Sequence, residues 1–473
     1  MSYNEEAVKK VVFDWFDKNE EKVIGVSKEI WDNPEVMWTE FKSSKLLADW
    51  LEENGFTVER GVADMPTAFV ASYSNGEGPV IGILGEYDAL PGMGREIAST
   101  NKPTGTDGHG CGHNLYGTGS ASAVIAVKQA MEAGLVQGTI KMFGCPAEEG
   151  GGAKVFMVRD GVFKGVDSII TWHPANASMC TMASSLAIYS VRFKFHGKTA
   201  HAGTTPHLGR SALDAAILMD VAVNYLREHM PVSNRIHCVI TNGGKVPGIV
   251  PDEAEIWYYL RAPRRPDVDD LLRRVENIAK GMALATDTTY EMNLSANGCS
   301  SNSIANKVLS EIARKNLNVV GGPKYTKEDW EFAKLLNADV TNQQKIENMA
   351  MMYNIQDEHA TDDLYEGIGQ DMLEGRTAPY SGDSGDVSWQ APYAQYSIAC
   401  QTVGTGNHSW QQVVCSGSHI GQAGMIVAGK ALALSASEFM AKPEVIAAAK
   451  EELNAKLKDY PYTCPIPAGI KPF

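Results

Sequence analysis

The sequence predicts an α/β protein: a large unit built on a mixed, mostly parallel sheet covered by helices, with a smaller ferredoxin-like α+β unit inserted into it. Three observations lead there. At 473 residues the chain exceeds the usual reach of one hydrophobic core, so two structural units are expected, with one elaborated α/β unit as the alternative. In its first third, short apolar runs bounded by turn residues alternate with segments of helical period, the pattern of a covered parallel sheet. From about residue 185 the order becomes strand, helix, strand, strand, helix, strand, which is the ferredoxin-like order. The expected division is 1–184 and 299–473 for the large unit and 185–298 for the insert.

Taken in order, apolar periodicity predicts helices over Val11–Ile30 and Leu46–Leu51, the second stopping at Asn54-Gly55. Thr67–Ser74 and Pro79–Leu84 read as strands, Leu115–Ala133 as a helix and Gly138–Cys145 as a strand. Within the insert, Ala187–Phe195, Ile236–Thr241 and Glu255–Leu260 read as strands, and Ser211–Glu228 and Val268–Leu284 as helices. The chain then returns to the large unit with a helix near Ile304–Lys315 and a final one near Gln422–Met440. Residues 320–380 are rich in charged and amide side chains and read as a helical or loop-like excursion near the site. There is no internal repeat and no low-complexity tract.

Composition narrows the function classes. With 44% hydrophobic and 21% charged residues the chain is an ordinary globular protein. A net charge of -15 argues against nucleic-acid and anionic-membrane partners, both of which attract basic surfaces. No apolar run reaches the roughly 18 residues of a spanning helix, and the first residues lack a secretory pattern, so a cytoplasmic location is expected. The eight cysteines are scattered and read as reduced, mostly core residues. Cys111 differs, because His109 and His113 lie two residues to either side.

Four segments carry candidate chemistry. In Thr106–Asn114, a cysteine and histidines between glycines suit a zinc-like ion, or equally a glycine-rich turn whose cysteine fills core space. Pro146-Ala147-Glu148-Glu149-Gly150 follows an apolar strand, where open sheets place their ligands. Paired carboxylates there can divide metal binding from proton transfer, although acids at a helix start are the commoner explanation. Ile169–Pro174 is an apolar strand running into His173, and Gly404–Trp410 is a loop carrying His408. Each alone is weak, but the candidates at 111, 113, 149, 173 and 408 all fall at predicted strand ends or in adjoining loops, so one cleft can gather them.

The motifs GEYDALPG, GHGCGHN, PAEEG, TWHP and GTGNHSW resemble the M20 metallopeptidase and amidohydrolase family across nearly the whole chain, in the branch where a cysteine replaces a bridging aspartate. Asn114-Leu115-Tyr116 departs from most of that branch and matches a subgroup acting on aminobenzoyl-glutamate. The resemblance implies two divalent metal ions, zinc or manganese, bridged by Cys111. His113 and His173 would complete one ion, and Glu149 and His408 the other. Glu148 would be the general base, and Asp88 would orient a ligand imidazole. Asp386 would be another supporting group, with a plain loop cap as the alternative. In the insert, His201 would stabilise the oxyanion in a partner subunit's cleft, the alternative being a surface histidine. Asn242 and Arg261 would bind the substrate carboxylate; for Arg261 an ordinary basic loop with Arg264 and Arg265 competes. His196, His207 and His419 are taken as structural.

The implied activity is dinuclear metal-dependent hydrolysis of the amide bond of N-acyl or N-aroyl amino acids such as p-aminobenzoyl-glutamate. A dipeptidase or other deacylase on the same scaffold is the first alternative, and a partner subunit of a hetero-oligomeric hydrolase the second. The expected partners are a small-molecule substrate and a second copy in a homodimer, or a related second subunit.

Overall fold

The computed structural model describes residues 3–295 and 298–473. Its strands are β1 (Thr57–Arg60), β2 (Phe69–Ser74), β3 (Val80–Glu86), β4 (Thr139–Cys145), β5 (Ser168–Ala175), β6 (Ser178–Thr181), β7 (Ala187–His196), β8 (Arg235–Asn242), β9 (Glu253–Ala262), β10 (Thr289–Leu294), β11 (Ile368–Gly369) and β12 (Tyr393–Ala399). They form two sheets, one in the order β1-β2-β4-β3-β5-β12-β6-β11 and one in the order β10-β7-β9-β8.

In the large sheet four of the seven neighbour pairings among the described residues are parallel: β4 with β3, β3 with β5, β5 with β12, and β6 with β11. The central run β4-β3-β5-β12 therefore points one way, and its carboxyl ends share one edge. These strands are apolar along most of their length because both faces are covered. On one face lie the helices Glu5–Asp32, His113–Glu132 and His419–Ala441, whose Phe16, Val124 and Leu432 share a buried cluster with Ile83 and Trp172. On the other, the short helix Ala153–Arg159 packs Val155 and Phe156 beside Leu84, Phe143 and Ile169. The helix His419–Ala441 has the length and composition to cross a membrane, but 78% of its apolar window is buried within the protein.

The small sheet is antiparallel throughout. Numbered within the insert its order is 4-1-3-2, the ferredoxin-like arrangement. Helices Ala212–Leu226 and Arg265–Ala285 cover one face, burying Met219, Val223, Val268 and Leu271 with Val191, Phe193 and Tyr258. The opposite face carries the half-exposed Trp257, Tyr259 and Arg261 of β9.

One expectation needs correction. Gln422–Met440 is not the final helix, because Pro443 starts another that runs to Leu457. Proline at a first helical position needs no backbone N–H, and only Ile446, Ala449 and Leu453 are buried there, which leaves a faint periodic signal. Of the two readings of 320–380, helical or loop-like, the helical one holds over Lys327–Leu336 and Asn342–Tyr353. Each opens on a capping box, Thr326 with Asp329 and Thr341 with Gln344. All eight cysteines are free; six are buried, Cys464 is partly so, and Cys238 is exposed.

Candidate metal centre

The carboxyl-end edge of the large sheet gathers the predicted residues. β3 leads into Asp88, β4 into the turn bearing Glu148 and Glu149, and β5 carries His173. The loop after β12 brings His408, and the start of the helix His113–Glu132 brings Cys111 and His113. Gly112 joins these last two in the left-handed region (φ 73°), and a Cβ there would meet Pro174 at 3.1 Å, so a side chain would strain both backbone and packing.

Among the described residues three groups have one ligand atom per residue within 4.8 Å of one another: Cys111, His113 and His173; Cys111, Glu149 and His408; and Glu86, His113 and Glu148. Cys111 belongs to the first two. Its Sγ lies 3.5 Å from His173 Nε2, and His408 Nε2 lies 3.2 Å from Glu149 Oε1. Asp88 is fully buried and serves two members at once, with Oδ1 2.8 Å from His113 Nδ1 and Oδ2 accepting from the Glu149 backbone N–H at 2.8 Å. His173 Nδ1 is likewise occupied, 2.8 Å from the carbonyl of Pro174. Both imidazoles thus keep Nε2 for the pocket. The backbone N–H of His408 donates to Gly110 O at 2.9 Å, tying the two ligand-bearing loops together.

The donor set fits cations. His113 Nε2, Glu86 Oε2 and Glu149 Oε1 are buried without well-directed hydrogen bonds, although His113 Nε2 and Glu86 Oε2 stand 3.1 Å apart and Glu149 Oε1 stands 3.2 Å from His408 Nε2. Buried polar atoms ordinarily find partners, so converging unpaired donor atoms mark a place for positive charge. One thiol, three imidazoles and carboxylates form a mixed set suited to zinc or another borderline divalent ion. Burial, reinforced by Glu149, raises the Cys111 thiol well above its ordinary pKa. Burial opposes charge on His113, but Cys111, Asp88 and Glu86 outweigh it and raise the imidazole's pKa. Burial, then the charges of Glu86 and Glu149, pushes the Glu148 carboxyl up strongly.

Sequence reasoning missed the groups behind this cluster. Lys154 is fully buried, with Nζ 2.7 Å from Glu86 Oε1 and 2.6 Å from Asp383 Oδ1. Its backbone N–H also donates to Asp383 Oδ2 at 2.9 Å. The available signal was a lysine inside the apolar run Ala153–Val158, too close to its neighbours in sequence to show its distant partners. Lys154→Met removes the cation between two buried carboxylates, and a loss of about 3–5 kcal/mol in urea unfolding is expected. Glu40, also buried, accepts from the backbone N–H of Ala147 at 2.8 Å and from Thr67 Oγ1 at 3.1 Å, which steadies the turn before Glu148. Burial and then the charge of Asp88 push its carboxyl up to about 8.

The structure leaves three predicted residues outside the cluster, on the small unit. Nδ1 of exposed His201 accepts from the backbone N–H groups of Gly203 and Thr204, each at 3.1 Å, so the ring proton sits on Nε2. Asn242 Oδ1 accepts from Gly244 N at 3.1 Å. Arg261 lies over the Tyr259 ring at 5.3 Å, and among the described residues it has no carboxylate partner. In the β8–β9 register Arg261 stands opposite Arg235 while Asn242 stands opposite Glu255, which puts them about 20 Å apart along the strands. Asp386 contacts none of the cluster: it accepts from Ser301 N (2.8 Å), Ser301 Oγ (2.9 Å) and Tyr462 OH (2.9 Å). Its role is the loop cap, because it ties down the segment that re-enters the large unit. His419 pairs with Asp329 at 2.6 Å, away from the cluster.

A covered α/β sheet with this donor set at its carboxyl edge defines a hydrolase of the metallopeptidase class. Residues 82–412 match the peptidase family M20/M25/M40, and the chain belongs to that family. It is 38% identical over 473 residues to one of the subunits of p-aminobenzoyl-glutamate hydrolase from Escherichia coli (strain K12), covering 97% of each chain. It is 28% identical over 462 residues to the Xaa-Arg dipeptidase of Homo sapiens, covering 94% of this chain and 91% of that one. The fold is shared with the crystal structure of the aminobenzoyl-glutamate utilization protein from Klebsiella pneumoniae, at a TM-score of 0.60, 18% identity, and coverage of 90% and 98%.

Proposed function

We propose that this chain hydrolyses the amide bond of N-acyl or N-aroyl amino acids, with p-aminobenzoyl-glutamate as the favoured substrate. One observation carries the reading: Glu148 is held beside a convergent set of cation donors in a chain alike end to end to a relative of that name. When bound, two divalent ions, zinc or manganese, would supply Lewis-acid polarisation of the scissile carbonyl and acidify water. Cys111 would serve both ions, His113 and His173 the first, and Glu149 and His408 the second. Glu148 would take a proton from the attacking water and return it to the leaving nitrogen, while Asp88 keeps His113 and the Glu149 backbone in register.

Residues 185–298 would form the inserted dimerisation unit, and 1–184 with 299–473 the catalytic unit. The outer side of the helix Ala212–Leu226 exposes Val221 and Tyr225 by 48% and 67%. Beside it β8 is an edge strand with Val239 half exposed, and such an edge invites pairing with a second copy. A homodimer also suits the wide spacing of Asn242 and Arg261, since in one chain they do not reach the same carboxylate. His201, with its proton on Nε2, is suited to donate to the developing oxyanion of a partner's site. Free cysteines throughout support a reducing, cytoplasmic setting.

The likeness to a human Xaa-Arg dipeptidase favours a dipeptidase as the second reading. Metal-loaded protein should release free amino acid from a panel containing p-aminobenzoyl-glutamate, simple N-acyl amino acids and Xaa-Arg dipeptides. Fastest turnover of the aroyl-glutamate supports the first reading and fastest turnover of the dipeptides the second. Inertness of the fully metallated homo-oligomer towards all three would sink both and shift weight to a required partner subunit.

A further inference from the structure

Among the described residues the excursion between residues 322 and 380 contributes none of the donor atoms, yet among its several contacts is a dense set of hydrogen bonds to the loop 402–405 that leads to His408. Among the described residues no strand pairs with this loop, and its backbone groups are met by side chains and by the excursion. Asn337 Nδ2 donates to Val403 O at 3.1 Å and to Asp363 Oδ1 at 3.0 Å, while Val403 N donates to Asp363 O at 3.0 Å. Buried Lys345 locks Asp363 from the other side, with Nζ 2.6 Å from Oδ1 and 3.0 Å from Thr361 O. Asn176, just beyond β5, donates through Nδ2 to Thr402 O at 2.6 Å and Thr405 O at 3.1 Å. Tyr353, at the end of the second excursion helix, fixes that asparagine: its hydroxyl accepts from Asn176 N at 3.1 Å and donates to Asn176 Oδ1 at 3.2 Å. Between these ties Gly404 adopts φ 84°, and a Cβ there would come within 2.8 Å of Val340 and 2.9 Å of Lys345.

Downstream, His408 itself sits in the left-handed region (φ 60°), and its side chain is 51% exposed, so little packing holds its ring. The backbone N–H of His408 is held by Gly110 O and Gln412 Oε1, and an exposed ligand on an irregular loop keeps its aim at Glu149 only if the chain leading to that anchor is fixed too. We infer that the excursion is a positioning device for the His408 ion, with Asn337, Tyr353 and Lys345 acting through the loop 402–405. This rests on the reading of His408 as a ligand.

The test uses the full chain stripped with a chelator and titrated with Zn2+ against a competing fluorescent chelator, which counts the ions and gives each affinity. Wild type should bind two ions and His408→Ala should lose one. Asn337→Ala and Tyr353→Phe should weaken that same ion by about 10–100-fold and leave the other within about two-fold. Lys324→Ala, which removes only a surface pair with Glu366, should change neither. Unchanged affinities in both variants, or equal weakening of both ions, would overturn the inference. Failure of wild type to bind two ions would instead overturn the ligand assignment and the inference with it. Tyr353→Phe deletes a single oxygen, so the question stays decidable should Asn337→Ala fail to fold.

Discussion

Glu148→Gln is expected to lower kcat by about 10²–10⁴-fold with both metal ions still bound, because it removes a proton acceptor and no proposed ligand. The substitution keeps size and polarity at a partly buried position. Burial first, then the charges of Glu86 and Glu149, raise its proton affinity, and His113 lowers it. The amide cannot shuttle a proton in any of these charge states. Steady-state kinetics beside metal analysis of the same sample would check this. Retention of wild-type kcat would exclude Glu148 as the base, and loss of an ion would reassign it as a ligand.

Cys111→Ala is expected to abolish tight binding of both ions together, and with it activity by on the order of a thousand-fold or more. The reason is topological: Cys111 is the one residue common to the two donor groups, and its alanine variant leaves each with two ligands. His408→Ala, by contrast, should cost one ion. Cys111→Asp should recover part of the binding, since a carboxylate has two oxygens to share between ions. Elemental analysis after dialysis would separate these outcomes. A Cys111→Ala protein holding two ions would show that the sulfur packs and does not bridge.

The donor residues were legible because each sits at a place that can be read locally. Pro146–Gly150 ends an apolar strand, Gly108–Gly112 is a glycine-rich approach to a helix, and Trp172-His173 lies within a strand of buried period. What holds those donors was not legible. Glu86 and Asp383 are 297 residues apart and meet only through Lys154, and Glu40 reaches a turn 107 residues away. Nothing in spacing or periodicity announces such pairs. The excursion helices were half legible: both capping boxes were there to be read, but their purpose depends on where the loop 402–405 lies.

The sequence by itself determined the strand and helix alternation, the ferredoxin-like insert and the identity of the candidate ligands, because these follow from periodicity and residue chemistry over a few positions. Only the tertiary structure decided that Asp88 serves two of them and that Asn242 and Arg261 stand at opposite ends of one strand pair. Those are matters of sheet order and register, set by packing between segments hundreds of residues apart, and a local pattern contains no term for them.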